Sequence, residues 1–198
     1  MTTATIARSM VIVSFAAFAS SAAAQGSAPA TPSPTQAPST FAAVANPTYV
    51  SVAMEIDVNR PAAAVWARIG KFCDLAEWMR TTCTISAGKD GEVGAVRRVS
   101  GRLNEVLVGK TPLSYTYAMP LQEGRPNNLY HGTIEARPVT ADTSKLLYTL
   151  MFDNSMLADD AARKADIESR RERFTQALQN MKILAEGGTL PPVPAGRE

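Results

Sequence analysis

The sequence predicts an α+β domain: a curved antiparallel sheet wrapped around one long C-terminal helix, with a cavity between them. Three observations predict it. A strand and two short helical segments come first. Strand-like runs then follow one another from Ala95 to Phe152, separated by turns too short for a crossover helix. The folded chain closes on a single amphipathic run to Glu186, whose one apolar stripe only a curved sheet can cover.

Thr48 to Val58 alternates and is rich in Val, Ile and Tyr, so it reads as the first strand. Pro61 suits the first turn of a helix, where a missing N–H is no loss. Val65, Ile69 and Phe72 follow at helical spacing, and Gly70 weakens the end. Asp74 to Met79 gives a second helical turn. Ala95–Val99 and Leu103–Val108 read as strands joined at Ser100-Gly101, and Leu113–Met119 runs until Pro120. Gln122 to Asn128 is a polar loop. Leu129–Ala136 and Lys145–Phe152 form a hairpin around Pro138 to Ser144. In the last element Ile167, Phe174, Leu178, Met181 and Leu184 recur at helical intervals. Asp159 or Asp160 is its N-cap and Gly187-Gly188 its end, giving a helix ~40 Å long.

The flanks are of a different kind. Arg8 precedes an apolar run from Met10 to Phe18 and an Ala22-Ala-Ala24 exit, the form of a cleaved secretory signal over residues 1–24. Residues 25–47 are Ala, Pro, Ser, Thr and Gln with almost no charge, too polar to offset their ordering entropy, and read as a disordered linker. The domain then occupies 48–186, and 187–198 is an unstructured tail. This predicts an exported protein, periplasmic or secreted, with no stable membrane insertion after cleavage. Without Arg8 the 20 basic residues fall to 19 against 18 acidic, a balance that gives no electrostatic case for nucleic acid. The two cysteines, Cys73 and Cys83, are close in sequence and read as a disulfide in an oxidising compartment; two separate buried thiols are the alternative. One histidine with two cysteines makes a poor zinc site, so no metal and no cofactor is expected.

The motifs in order are Pro61, Val65-Trp66, Phe72, Trp78, Gly94, Arg98, Glu105-x-Leu107, Tyr115-x-Tyr117, Tyr130 and Phe152. This series resembles the START-like (SRPBCC) superfamily, and within it the bacterial polyketide cyclase/dehydrase branch, to which the plant abscisic-acid receptors are related. The resemblance runs from Tyr49 to about Glu186. It implies a helix-grip fold with an internal cavity for an apolar small molecule, and a function as binder, carrier, receptor or, less commonly, cyclase or dehydratase. It also implies that Glu105 and Tyr130 line the cavity and that Asp153 contacts ligand through water. The chain departs from the receptors at Glu77, where they keep a lysine, and at Gly109 to Pro112, which does not match their gate loop. Tyr148 stands where bacterial members often carry Trp.

Alternation points to the same cavity. Leu103, Glu105 and Leu107 share one strand face, and the leucines turn that face inward. A carboxylate among leucines is costly unless paired. Glu105 is therefore either a ligand contact or general acid/base, or half of a buried pair with Arg98 or Tyr117. Asp153 is either a ligand contact or a cap on the turn that follows it. Tyr117, Tyr148, Phe174 and Leu178 complete the candidate lining. His131 points outward if Tyr130 points inward. No serine elbow or phosphate loop is present. These readings favour a binder of an apolar or amphipathic small molecule. A cofactor-independent cyclase or dehydratase using Glu105 is the alternative, and a partner-binding module with its cavity packed shut is a third.

Overall fold

A computed structural model of the protein describes residues 44–121 and 127–192; the expected signal peptide, most of the linker, the centre of the polar loop and the tail from residue 193 lie outside the described residues. Ten elements follow in order: β1 (Tyr49–Val58), α1 (Ala62–Ile69), α2 (Leu75–Trp78), β2 (Cys83–Ala87), β3 (Val96–Val99), β4 (Leu103–Thr111), β5 (Ser114–Ala118), β6 (His131–Pro138), β7 (Ser144–Asp153) and α3 (Asp160–Ala185). The strands form a seven-stranded sheet in the order β1-β7-β6-β5-β4-β3-β2, with every neighbouring pair antiparallel. Only β1 to β7 departs from hairpin order, because the first strand closes beside the last. This sheet and the long C-terminal helix are the helix-grip fold.

The sheet's inner face follows from the period of two. Val52, Met54 and Val58 on β1 and Leu146, Tyr148, Leu150 and Phe152 on β7 are buried. Their neighbours Ser51, Ala53, Glu55 and Met151 face outward and are exposed. Against this face lies α3, burying Phe174, Ala177, Leu178, Asn180, Met181 and Leu184. No residue from Asp160 to Arg173 is buried, so the apolar stripe occupies only the C-terminal half of the helix. Asp159 caps α3, its carboxylate accepting the Ala162 N–H at 2.8 Å.

Several boundaries move. Pro61 sits at the cap position just before α1, not within it, with ψ 140°. Residues Cys83–Ala87 form a short edge strand that the sequence reading leaves undelimited; it alternates Cys83, Ile85 and Ala87 with Thr84 and Ser86, and no residue in it is fully buried. The fourth strand runs past Val108 to Thr111 through a register shift between Leu107 and Gly109. Val108 faces solvent in phase with the alternation, and the irregularity after Leu107 shifts the phase of the residues that follow. Two glycines are dictated by aromatic rings. A Cβ on Gly70 would meet the Trp66 ring at 2.5 Å, and one on Gly132 the Tyr117 ring at 2.5 Å. Gly132 thus lets Tyr117 lie flat across the neighbouring strand.

Cys73 and Cys83 are bridged, with Cα atoms 5.5 Å apart. The bridge closes a loop that contains α2 and ties it to the start of β2. A second tie comes from α3, whose buried Asn180 donates to the Trp78 carbonyl at 2.9 Å.

Candidate functional site

Arg97 and Glu105 are direct cross-strand partners of β3 and β4 on the inner face of the sheet. Arg97 Nε donates to Glu105 Oε2 at 2.7 Å, and both side chains are nine-tenths buried or more. Arg97 Nη1 also donates to the Phe72 carbonyl and, at 3.3 Å, to the Tyr115 hydroxyl. Its guanidinium plane lies 4.2 Å from the Phe72 ring centre and 4.7 Å from that of Tyr117. Burial works against its charge, but Tyr115 and Glu105 beside it outweigh burial and hold its pKa above the ordinary value. The expected partner for Glu105 is therefore corrected. Arg98 lies on the outer face, exposed, and reaches Asn104 at 3.3 Å; Tyr117 bonds instead to Tyr148, hydroxyl to hydroxyl at 2.8 Å. The turn spans Ser100, Gly101 and Arg102, which sets Arg97 opposite Glu105; a two-residue turn at Ser100-Gly101 would set Val96 there instead.

Only one Glu105 oxygen is used by the pair. Among the described residues nothing donates to Oε1, and it is not among the atoms sealed from solvent-sized space. Its environment is a pocket of about 330 Å³. Arg97, Glu105 and Tyr117 form its sheet wall, with Tyr130 and Tyr148 beside them. Leu75, Trp78 and Met79 come from the disulfide-closed loop, and Arg170, Arg173 and Phe174 from α3. The indole N–H of Trp78 is buried with no acceptor among the described residues. Burial pushes the Tyr130 hydroxyl up to about 12 and raises those of Tyr115, Tyr117 and Tyr148 as well, so these phenols are neutral donors and acceptors near neutral pH.

The sequence candidates separate into those the pocket gathers and those it does not. Leu103, Glu105, Tyr117, Tyr130, Tyr148 and Phe174 all border it. Leu107 instead borders a second, broader hollow of about 810 Å³ between α1 and the β4–β5 hairpin. Leu178 is core, 1% exposed and outside both hollows. Asp153 is buried at the end of β7, where it accepts from Thr48 N at 2.6 Å and from Ser155 Oγ at 2.8 Å. It therefore fastens the strand end and its turn, and it borders neither hollow. Glu77 lies outside the pocket in an exposed two-bond pair with Arg68. Sequence reasoning missed Arg97, Trp78, Arg170 and Arg173 as lining residues. The two α3 arginines sat in what reads as a solvated charged face. Among the described residues no group of three or more His, Cys, Asp or Glu is placed to hold a metal, and no helix is long and apolar enough to cross a membrane.

Residues 49–186 match the family described as polyketide cyclase/dehydrase and lipid transport. The chain belongs to this family. It shares its fold with solved structures at low identity. A Thermobifida fusca protein is 20% identical, with 71% of this chain and 97% of that one covered at a TM-score of 0.57. A Bacillus thuringiensis protein is 19% identical, with 67% and 96% covered at 0.54. The di-domain ARO/CYC BexL from the BE-7585A biosynthetic pathway is 14% identical, with 69% and 46% covered at 0.55. At these identities the likeness is one of fold. No curated protein matches the chain by sequence.

Proposed function

We propose that this family member is an exported protein that binds an apolar or amphipathic small molecule in the pocket between β3–β5, the disulfide-closed loop and the N-terminal half of α3. The observation that carries the reading is the pocket built around a pinned ion pair. Arg97 holds one oxygen of Glu105, and the pocket walls combine aromatic and aliphatic side chains with polar and charged ones. Its volume of about 330 Å³ falls at the small end of ligand sites, about 300–1,000 Å³. A carboxylate held by an arginine through one oxygen is well placed to orient a ligand with the other. The Cys73–Cys83 bridge suits an oxidising compartment and so supports export. An open pocket speaks against a partner-binding module whose cavity is packed shut.

Native mass spectrometry of the protein purified from its own host tests the reading. A small molecule should co-purify and be displaced by an apolar fluorescent probe. A bare protein that also fails to take up the probe would remove it. Amino-terminal sequencing of the exported protein should begin at Gln25.

A second reading rests on Glu105 Oε1, which is free to touch a reacting group in a family that includes cyclases. Glu105→Gln separates the two. Under binding alone, affinity should drop roughly tenfold, about 1.4 kcal/mol, with the fold retained. Under general acid/base catalysis, turnover should fall ~10²–10⁴-fold while binding persists.

A further inference from the structure

The charges around the pocket do not cancel. Its ionisable lining consists of Arg97, Glu105, Asp166, Arg170 and Arg173, apart from the tyrosines. Arg97 is matched by Glu105 at 2.7 Å. Arg170 is matched by Asp166, its Nε bonding both carboxylate oxygens at 3.0 and 2.9 Å. Arg173 is left over. Among the described residues it makes no ion pair and no hydrogen bond, and its guanidinium lies 5.9 Å from the Phe174 ring centre. The other three arginines of α3 each have an acid within one turn: Arg163 with Asp160, Arg170 with Asp166, Arg171 with Glu168. The sequence denies this to Arg173. Residues three and four away are Ser169, Arg170, Gln176 and Ala177, and Glu172 next to it faces elsewhere on the helix. Two arginines thus stand one turn apart at the pocket with a single aspartate between them.

The pocket's interior is the opposite. Glu105 is 7% exposed, and among the described residues nothing donates to its Oε1. An anion would be repelled there, and a hydroxyl donor would be held.

We infer that the ligand is an anionic amphiphile. Its negative head group is held by Arg173 at the helix side of the pocket, and a hydroxyl on its apolar body donates to Glu105 Oε1. This rests on the small-molecule reading above and adds the ligand's polarity and its orientation. The guanidinium fork suits carboxylate and phosphate alike, so the shared chemistry is a compact oxyanion on an apolar body.

The test is calorimetric titration of the full chain with medium-chain probes of matched length: an alkanoate, an alkyl phosphate, an alkanol, an alkylamine and a homologous series of ω-hydroxyalkanoates. The alkanoate or the alkyl phosphate should bind roughly tenfold tighter than the alkanol at low salt, as one charge-assisted contact provides, and whichever binds tighter identifies the oxyanion. That advantage should shrink as salt rises, because Arg173 is exposed. Arg173→Gln, a surface change that leaves the core intact, should abolish the advantage, read as the ratio of anion to alkanol affinity on the same variant. At one chain length the ω-hydroxyl should improve binding further, and Glu105→Gln, checked for an unaltered fold, should erase that gain. Equal affinity for alkanol and both anions, or an Arg173→Gln chain that keeps the preference, overturns the inference while leaving the apolar-ligand reading intact. If no probe binds, the small-molecule reading itself fails.

Discussion

The two halves of the space under the sheet are built from different chemistry. Toward β1 and β7 the C-terminal half of α3 lays Leu178, Met181 and Leu184 onto Val52, Leu146, Leu150 and Phe152 in one apolar core. Toward β3, β4 and β5 the same sheet faces the N-terminal half of α3, whose residues are at most half-buried, across a pocket holding an ion pair and a ring of phenols. One half is closed by packing and the other is left open around polar groups that fix one another. Stability is concentrated where volume is filled. The polar groups gather where the helix stops burying residues fully but the sheet continues beneath it.

The largest expected effect breaks the polar half. Arg97→Met leaves Glu105 buried without its partner and should cost about 3–5 kcal/mol in chemical denaturation. Adding Glu105→Leu should recover most of the loss, because two apolar residues fit where two charges did. If the double variant is as unstable as the single one, the pair is tied to Phe72 and Tyr115 more tightly than to itself. The apolar half should allow no such recovery. Leu178→Ala should cost roughly 2–5 kcal/mol, since the side chain is 1% exposed and leaves a cavity. A loss near 0.5 kcal/mol would place the stripe outside the core.

The disulfide comes next. Replacing Cys73 and Cys83 by Ala should lower stability by about 2–3 kcal/mol for a loop of this size. The loop supplies Leu75, Trp78 and Met79 to the pocket, so probe affinity should fall with it. A stability loss with unchanged affinity would show that Asn180 alone holds the pocket wall in place. The last test is alkaline. A phenol whose folded pKa is raised contributes stability that is complete below its unfolded value near 10. It is lost as pH rises through the folded value, about 12 for Tyr130. Between about pH 10 and 12 the unfolded chain has given up the proton and the folded one has not, so stability should fall by about 1.4 kcal/mol per pH unit for each such tyrosine. The Tyr130→Phe chain should lose less over that window. An identical decline would move the titration to Tyr117 and Tyr148, which are fully buried and raised in the same direction.

Much of the fold was legible because periodicity is local. The inward face of β4 could be read from Leu103, Glu105 and Leu107, and the buried face of α3 from Phe174, Leu178 and Met181. The site was legible only in part. Glu105 announced itself as a charge on an apolar face, but its partner depends on strand register, which is a relation between two segments. Asp153 reads identically whether it meets a ligand or caps a turn, and the contacts with Thr48 and Ser155 place it in the second class.

The sequence by itself determined the order of elements, the faces they bury, the short spacing of Cys73 and Cys83 and the inward turn of Glu105. Each is written within a few residues by side-chain period, turn chemistry or spacing. Only the tertiary structure decided that Arg97 rather than Arg98 neutralises Glu105. It alone also set the Cys73–Cys83 loop as a pocket wall and, among the described residues, left Arg173 at the pocket without an acid. Those facts join residues from different strands and from opposite ends of the chain. The energy of a buried charge depends on what stands within a few ångströms of it, not on its neighbours in sequence.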